Sequence, residues 1–295
     1  MERRGNSDEI TRRYFDSILL ETRYMDADLP STKRMLWGWE IQTPIMTAAL
    51  SHLHDICEDA MAQYAIGARD AGTIHWYGMG SDEELEHIIA TGAKTIKIIK
   101  PHADDAEVFR RIGHAKRAGA FAVGMDIDHS FSGHGTYDHV LGFDMKPKST
   151  EQLAAFIQAA SPLPFIVKGV LSVADAVKAQ RAGAAGIVLS HHHNMMEYSV
   201  PPLIVLPAIR KAVGPDFPII VDCGIVSGMD AYKALALGAD GVSVGRELMK
   251  PLKNGGQAVA DRIREMTDEL ASVMARTGVK DLSSFDPTVL HFWNA

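Results

Sequence analysis

The stretch Pro164–His192, "PFIVKGVLSVADAVKAQRAGAAGIVLSHH", decides the fold. It begins with an aliphatic run, "PFIVKGV" (164–170), and ends with another, "GIVLSHH" (186–192). Nearly continuous aliphatic runs suit strands covered on both faces of a parallel sheet. Between them "SVADAVKAQRAGAA" (172–185) has the apolar spacing of an amphipathic helix and ends in a small-residue stop. The unit is strand, helix, strand.

The same unit recurs on either side. Further strand candidates are "PIMTA" (44–48), "GTIHWYG" (72–78), "TIKIIK" (95–100), "FAVGMDID" (121–128), "PIIVDCGI" (218–225) and "GVSVGR" (241–246). Helical segments such as "SDEELEHIIATGA", "DAEVFRRIGHAKRAGA" and "GMDAYKALALGAD" separate them. Eight strands alternating with helices predict an α/β protein built as a closed (β/α)8 TIM barrel. An open doubly wound sheet would need a glycine-rich phosphate turn after its first strand. "TAALSHLHD" (47–55) is not one. One domain over residues 1–295 is expected, with the barrel at about 44–280. The first 43 residues form a short N-terminal extension, a helix plus a covering strap. "GGQAVADRIREMTDELASVMARTG" (255–278) reads as a closing helix, and "LSSFDPTVL" (282–290) as a tail packed back on the barrel.

Bulk properties narrow the function. The 295 residues are 46% hydrophobic and 23% charged, with a formal net charge of −7. That charge gives no attraction for nucleic acid or an anionic membrane, and Lys and Arg are scattered. Two cysteines, Cys57 and Cys223, are too few for a disulfide framework and suit a reducing compartment. The first thirty residues lack the apolar core of a signal peptide, and no run reaches the length of about 20 apolar residues that spans a bilayer. A cytoplasmic location and a small-molecule substrate are expected.

In such a barrel the site is assembled from the C-terminal strand ends. That rule selects Ala48, Ala49, Asp126, Asp128, His129, Lys168, Ser190, His191, His192, His193, Asp222, Gly224, Gly245 and Arg246. Lys168 is the most informative. An ammonium inside "FIVKGV" costs several kcal/mol unless an anion or strong acceptor meets it. A structural ion pair with a carboxylate such as Asp128 is the alternative to a functional role. "DCG" (222–224) and "VGR" (244–246) have the layout of a barrel phosphate site, small residues exposing backbone N–H groups beside a guanidinium. Cys223 reads as a small buried filler.

At these residues the chain resembles the FMN-dependent 2-hydroxy-acid oxidases and dehydrogenases, the glycolate oxidase and lactate oxidase family. The resemblance rests on "PIMTAALSHLHDICEDAMAQYAIGARDAGT", "LPFIVKGVLSVADAVKAQRAGAAGIVLSHHH", "PIIVDCGIVSGMDAYKALALGADGVSVGRELM" and "MTDELASVMARTGVKDLSSF". It implies FMN as cofactor. It places Lys168 against the electron-rich edge of the flavin, and Ala48 and Ala49 behind it. Asp222, Gly224, Gly245 and Arg246 would hold the ribityl chain and phosphate, with Ser190 beside them. His192 would be the base that takes the substrate proton while a hydride equivalent reaches flavin N5, and Asp128 the carboxylate that orients it. A homo-oligomer is expected on the same ground.

The departures lie on the substrate side. Met195 stands where the resemblance calls for a carboxylate-clamping arginine, and about Gly135 for a second. Ile99 and Lys97 replace a tyrosine and a glutamine of the third strand, Asp126 a threonine, and Val226 a phosphate arginine. Tyr14 or Tyr24 is left to fill in for an N-terminal tyrosine. A charge-assisted hydrogen bond contributes about 1.5–3 kcal/mol, so losing two bidentate clamps weakens a simple 2-hydroxy acid severely. Lys97, His129, His193 and Met195 are therefore expected to line an atypical substrate pocket. Two further functions stay open. His191, His193 and Asp126 can ligate a metal in a barrel lyase or hydrolase, helped by other loop histidines such as His134 and His139. A non-catalytic flavin-binding protein also fits.

Overall fold

The computed structural model describes residues 5–293. Its eight parallel strands are β1 (Ile45–Thr47), β2 (His75–Tyr77), β3 (Thr95–Ile99), β4 (Ala122–Asp126), β5 (Phe165–Val170), β6 (Gly186–Leu189), β7 (Ile219–Val221) and β8 (Gly241–Val244). They pair in one sheet running from β2 through β3 to β8 and on to β1. The ring meets itself between β1 and β2 through a single bridge, Leu50 with Tyr77. There the Thr47 hydroxyl accepts from Trp76 N at 3.1 Å, in place of a peptide carbonyl. The expected barrel is the observed one.

Around it stand α2 (Ala60–Asp70), α3 (Asp82–Ala90), α4 (Asp105–Ala118), α5 (Thr150–Ala160), α6 (Val173–Arg181), α7 (Pro202–Val213) and α8 (Gly228–Ala236). Serine hydroxyls cap α3, α5, α6 and α8, satisfying N–H groups that have no partner inside the helix. The closing helix α9 (Gly256–Arg276) and the N-terminal α1 (Ser7–Asp16) complete the set. The tail returns to the N-terminal extension, Leu290–Phe292 pairing antiparallel with Ile18–Leu20.

Strand side chains alternate between two cores. Met46, Ile74, Trp76, Ile96, Ile98, Ile166, Val188 and Ile220 fill the barrel interior. Tyr77, Ile99, Val123, Met125, Val167, Leu189 and Val221 face the helices. This parity governs what reaches the mouth. Counting in twos from the interior residues Ile98, Gly124 and Ile166 leads to Lys100, Asp126 and Lys168.

Candidate active site

Three strands end sooner than the sequence suggests. β6 stops at Leu189, and His192, His193 and Asn194 turn into left-handed conformations (φ 50°, 51° and 61°). β7 stops at Val221 before a left-handed Cys223–Gly224 pair (φ 71° and 81°), and β4 gives way to a 3-10 turn, Ile127–Ser130. His191 and His193 therefore do not share a strand face. His191 Nε2 meets Thr11 Oγ1 of α1 at 2.9 Å, while His193 Nδ1 lies 3.9 Å from Asp8.

Lys168 points into the mouth. Its Nζ donates to Asp126 Oδ1 at 3.0 Å and lies 3.2 Å from His192 Nδ1. Asp126 Oδ2 accepts from Lys100 Nζ at 2.6 Å, so one buried carboxylate serves two ammonium groups. Both Asp128 oxygens lie 3.2 Å from His192 Nδ1. Gly169 makes that approach possible: with φ at +90°, a Cβ there would stand 2.6 Å from the Asp128 carboxylate. The "KG" of "FIVKGV" thus supplies an ammonium and the gap for its neighbour. On its other side, His192 Nε2 faces His129 Nε2 at 3.0 Å, the rings crossing edge to face. His129 Nδ1 looks toward Asp138 at 3.4 Å.

Electrostatics follow from these contacts. Burial opposes ionisation of Asp126, but Lys168 and Lys100 hold its pKa well below the usual carboxylate range. Burial, and then the neighbouring Asp126 charge, raise that of Asp128. Burial and Lys168 push His192 down, yet the two aspartates outweigh them and leave it above an ordinary imidazole. His129 is driven to about 4 by burial and Lys100, so its ring is neutral. A neutral His129 with its proton on Nδ1 accepts from a protonated His192, and every polar hydrogen of the pair then has a partner. Lys168 stays cationic, since Asp126, Asp128 and Asp222 overcome its burial.

The second half of the site lies beyond β7 and β8. Asp222 Oδ2 accepts from Ser190 Oγ at 2.9 Å, and the same hydroxyl accepts from His192 N at 3.1 Å. Asp222, Gly224, Gly245 and Arg246 line a cleft of about 420 Å³ that α1 roofs with Asp8 and Arg12. Ala48 lies beneath it, its Cβ 3.4 Å from where a Gly245 Cβ would stand, and the partly buried Ala49 packs on the barrel core. Cys223 is buried, and burial lifts its thiol to about 12, which suits a filler.

Three expectations need correction. His193 lines the cleft of Asp222 and Arg246, not the substrate side, because the left-handed turn after β6 swings it toward α1. Lys97 does not line the pocket. As an odd-numbered residue of β3 it points outward, its Nζ bonded to the Gly78 carbonyl and 3.7 Å from the Tyr77 ring centroid. Burial, then Arg111, lowers it to about 7. Asp126 pairs with Lys100 and Lys168, both on the interior parity. Lys100 is the functional candidate that the sequence reading passed over, although the interior positions Ile96 and Ile98 point straight to it. The metal set also differs. His191, His193 and Asp126 do not converge; the group that does is Asp126, Asp128, His129 and His192, with candidate ligand atoms within 4.8 Å of one another. A cation there would face Lys100 and Lys168, which already take both Asp126 oxygens.

The donor set suits a flavin mononucleotide: a buried ammonium at the barrel mouth for an electron-rich ring, and a guanidinium among small residues for a phosphate. The comparisons agree. A family model described as "FMN-dependent dehydrogenase" matches residues 3–157 and 145–292. The chain belongs to the FMN-dependent dehydrogenase family, a family of oxidoreductases that use FMN. An L-lactate oxidase of Nostoc sp. is 35% identical over 334 residues, covering 97% of this chain and 91% of that protein. Glycolate oxidase 1 of Zea mays is 29% identical over 321 residues, covering 95% and 87%. Among solved structures, a mandelate oxidase mutant with (S)-mandelic acid superposes with a TM-score of 0.86 at 26% identity, over 99% of this chain and 91% of that one.

Proposed function

We propose that the chain oxidises a carbinol carbon of a small molecule, with His192 taking the hydroxyl proton and FMN accepting the hydride equivalent. The convergence of Lys168, Asp128 and His192 within 3.2 Å contacts carries this reading. Asp128 fixes the imidazole through Nδ1 and leaves Nε2 toward the mouth, where a substrate hydroxyl would displace His129. Lys168 would offset negative charge at the electron-rich edge of a bound flavin. Ser190, Asp222, Gly224, Gly245 and Arg246 would hold the remainder of the cofactor, with Ala48 and Ala49 behind it.

The substrate differs from a simple 2-hydroxy acid. Met195 and Gly135 offer no bidentate clamp, and Lys100 is a single point charge already bonded to Asp126. Beside Asp128 a chamber of about 560 Å³ is walled by Phe131, Leu171, Met195 and Met196. Those four side chains share the wall with Ser132, Glu197 and Ser199, and the adaptable methionines suit a substrate with a bulky apolar portion beside polar groups. The test is spectroscopic. The purified protein should show flavin absorption, and a panel of hydroxy acids graded by side-chain size should bleach it anaerobically. Protein that takes up no FMN removes the proposal. A yellow protein that no substrate reduces leaves only the binding function.

A further inference from the structure

Helix α1 brings a carboxylate to the guanidinium assigned to the cofactor phosphate. Asp8 Oδ2 lies 3.1 Å from Arg246 Nη1. Among the described residues its other oxygen, Oδ1, is buried without a hydrogen-bond partner, 3.9 Å from His193 Nδ1. A desolvated carboxylate oxygen beside an exposed guanidinium occupies the kind of place a phosphate oxygen takes. Glu9 and Glu247 line the same cleft. The second guanidinium there, Arg12, is committed elsewhere: it grips Asp230 through both terminal nitrogens at 3.0 and 2.9 Å and donates to the Gly224 carbonyl. Val226 adds no charge.

Nor is Asp8 on a loose arm. Ser7 N donates to Asn194 Oδ1 and Ser7 Oγ to the Met196 carbonyl, both at 2.8 Å, tying α1 to the loop after β6. Thr11 and Phe15 of α1 press on Gly224, where a Cβ would lie 2.7 Å and 3.0 Å from them. The carboxylate is therefore held at the cleft whether or not an anion arrives.

We propose that Asp8 is a resident competitor for the cofactor's phosphate, so that the cleft selects only weakly for the phosphorylated flavin over riboflavin. The inference rests on the FMN assignment. A terminal phosphate entering the cleft must share Arg246 with a fixed negative charge, whereas the uncharged ribityl end of riboflavin meets no such penalty. Asp8 thereby sets how tightly, and how selectively, the cofactor is kept.

The experiment titrates flavin-stripped, full-length protein with FMN and with riboflavin, following flavin fluorescence, for the wild type, Asp8→Asn and Asp8→Asn/Arg246→Ala. Asp8→Asn should tighten FMN by about tenfold and leave riboflavin within about twofold, since only the phosphate feels the charge. The gain should vanish in the double variant. Circular dichroism of each protein separates misfolding from a binding effect, and Asp8→Ser serves as a second neutral substitution. An unchanged or smaller ratio of FMN to riboflavin affinity in both Asp8 variants overturns the proposal and leaves the FMN assignment intact. Failure of the wild type and the variants to bind either flavin overturns both.

Discussion

Lys168 Nζ and His192 Nδ1 stand 3.2 Å apart at the barrel mouth, an ammonium beside the proposed base. Alone that pairing would suppress protonation of the imidazole. Asp126 and Asp128 reverse the balance and hold His192 above its ordinary value. The base therefore holds its proton to higher pH than an ordinary imidazole and must lose that proton before it can act.

The rate of anaerobic flavin reduction should accordingly rise with pH through the elevated His192 value. Asp128→Asn removes one of the two carboxylates that raise it, so the limb should move to lower pH while the plateau falls by roughly 10²–10⁴-fold. Stopped-flow reduction across a pH series measures both, and a limb displaced toward alkaline pH would contradict the assignment.

Lys100 and Lys97 separate inward from outward positions on one strand. Lys100→Met should raise the KM for an anionic substrate about 10–100-fold, with little change for the corresponding amide. Lys97→Met should leave both values unchanged. Steady-state kinetics on an acid and amide pair tests the two variants together, and equal effects from them would contradict the parity.

Asp126 is the shared counter-ion of two buried lysines. Asp126→Asn should lower stability by about 3–5 kcal/mol, because it leaves both ammonium groups without their carboxylate. Its depressed pKa means that this stability is present above the unfolded value of about 3.9 and is lost as pH falls through the folded one. Urea denaturation at neutral and acid pH measures it, and the difference between wild type and variant should shrink on acidification.

Arg12 fastens α1 to the barrel through Asp230, whose side chain is 3% exposed. Arg12→Ala should cost about 2 kcal/mol for the lost charge-assisted bonds. Limited proteolysis should then cut within residues 5–17 well before the barrel. A variant no more susceptible there than the wild type would show that the helix is held by other contacts.

The barrel was legible because each strand, helix and small-residue stop repeats a single unit, and burial on both faces leaves an unmistakable aliphatic signature. The site was legible wherever interior parity reaches its residues, as at Asp126 and Lys168. It was misread at Lys97, where register rather than composition decides, and Lys100 is two residues past Ile98 for the same reason. The histidine run was obscured differently. Nothing in "SHHHNMM" announces that three successive residues adopt positive φ, a region uncommon outside glycine even though histidine and asparagine enter it more readily than most. The link between α1 and the cofactor cleft joins Asp8 to Arg246 across most of the chain, a pairing that no local pattern encodes.

A hydroxyl stands in for a peptide carbonyl where Thr47 receives Trp76, and the ring of strands has its thinnest join there. Every other neighbouring pair is joined by at least two successive residue pairs. Amide deuterium uptake should consequently begin around Trp76 and Gly78, and cold or pressure should part the cylinder along this line before any other. The join lies beside Leu50, next to the floor on which the ring of the cofactor would rest, so a bound flavin would act as a rivet across it.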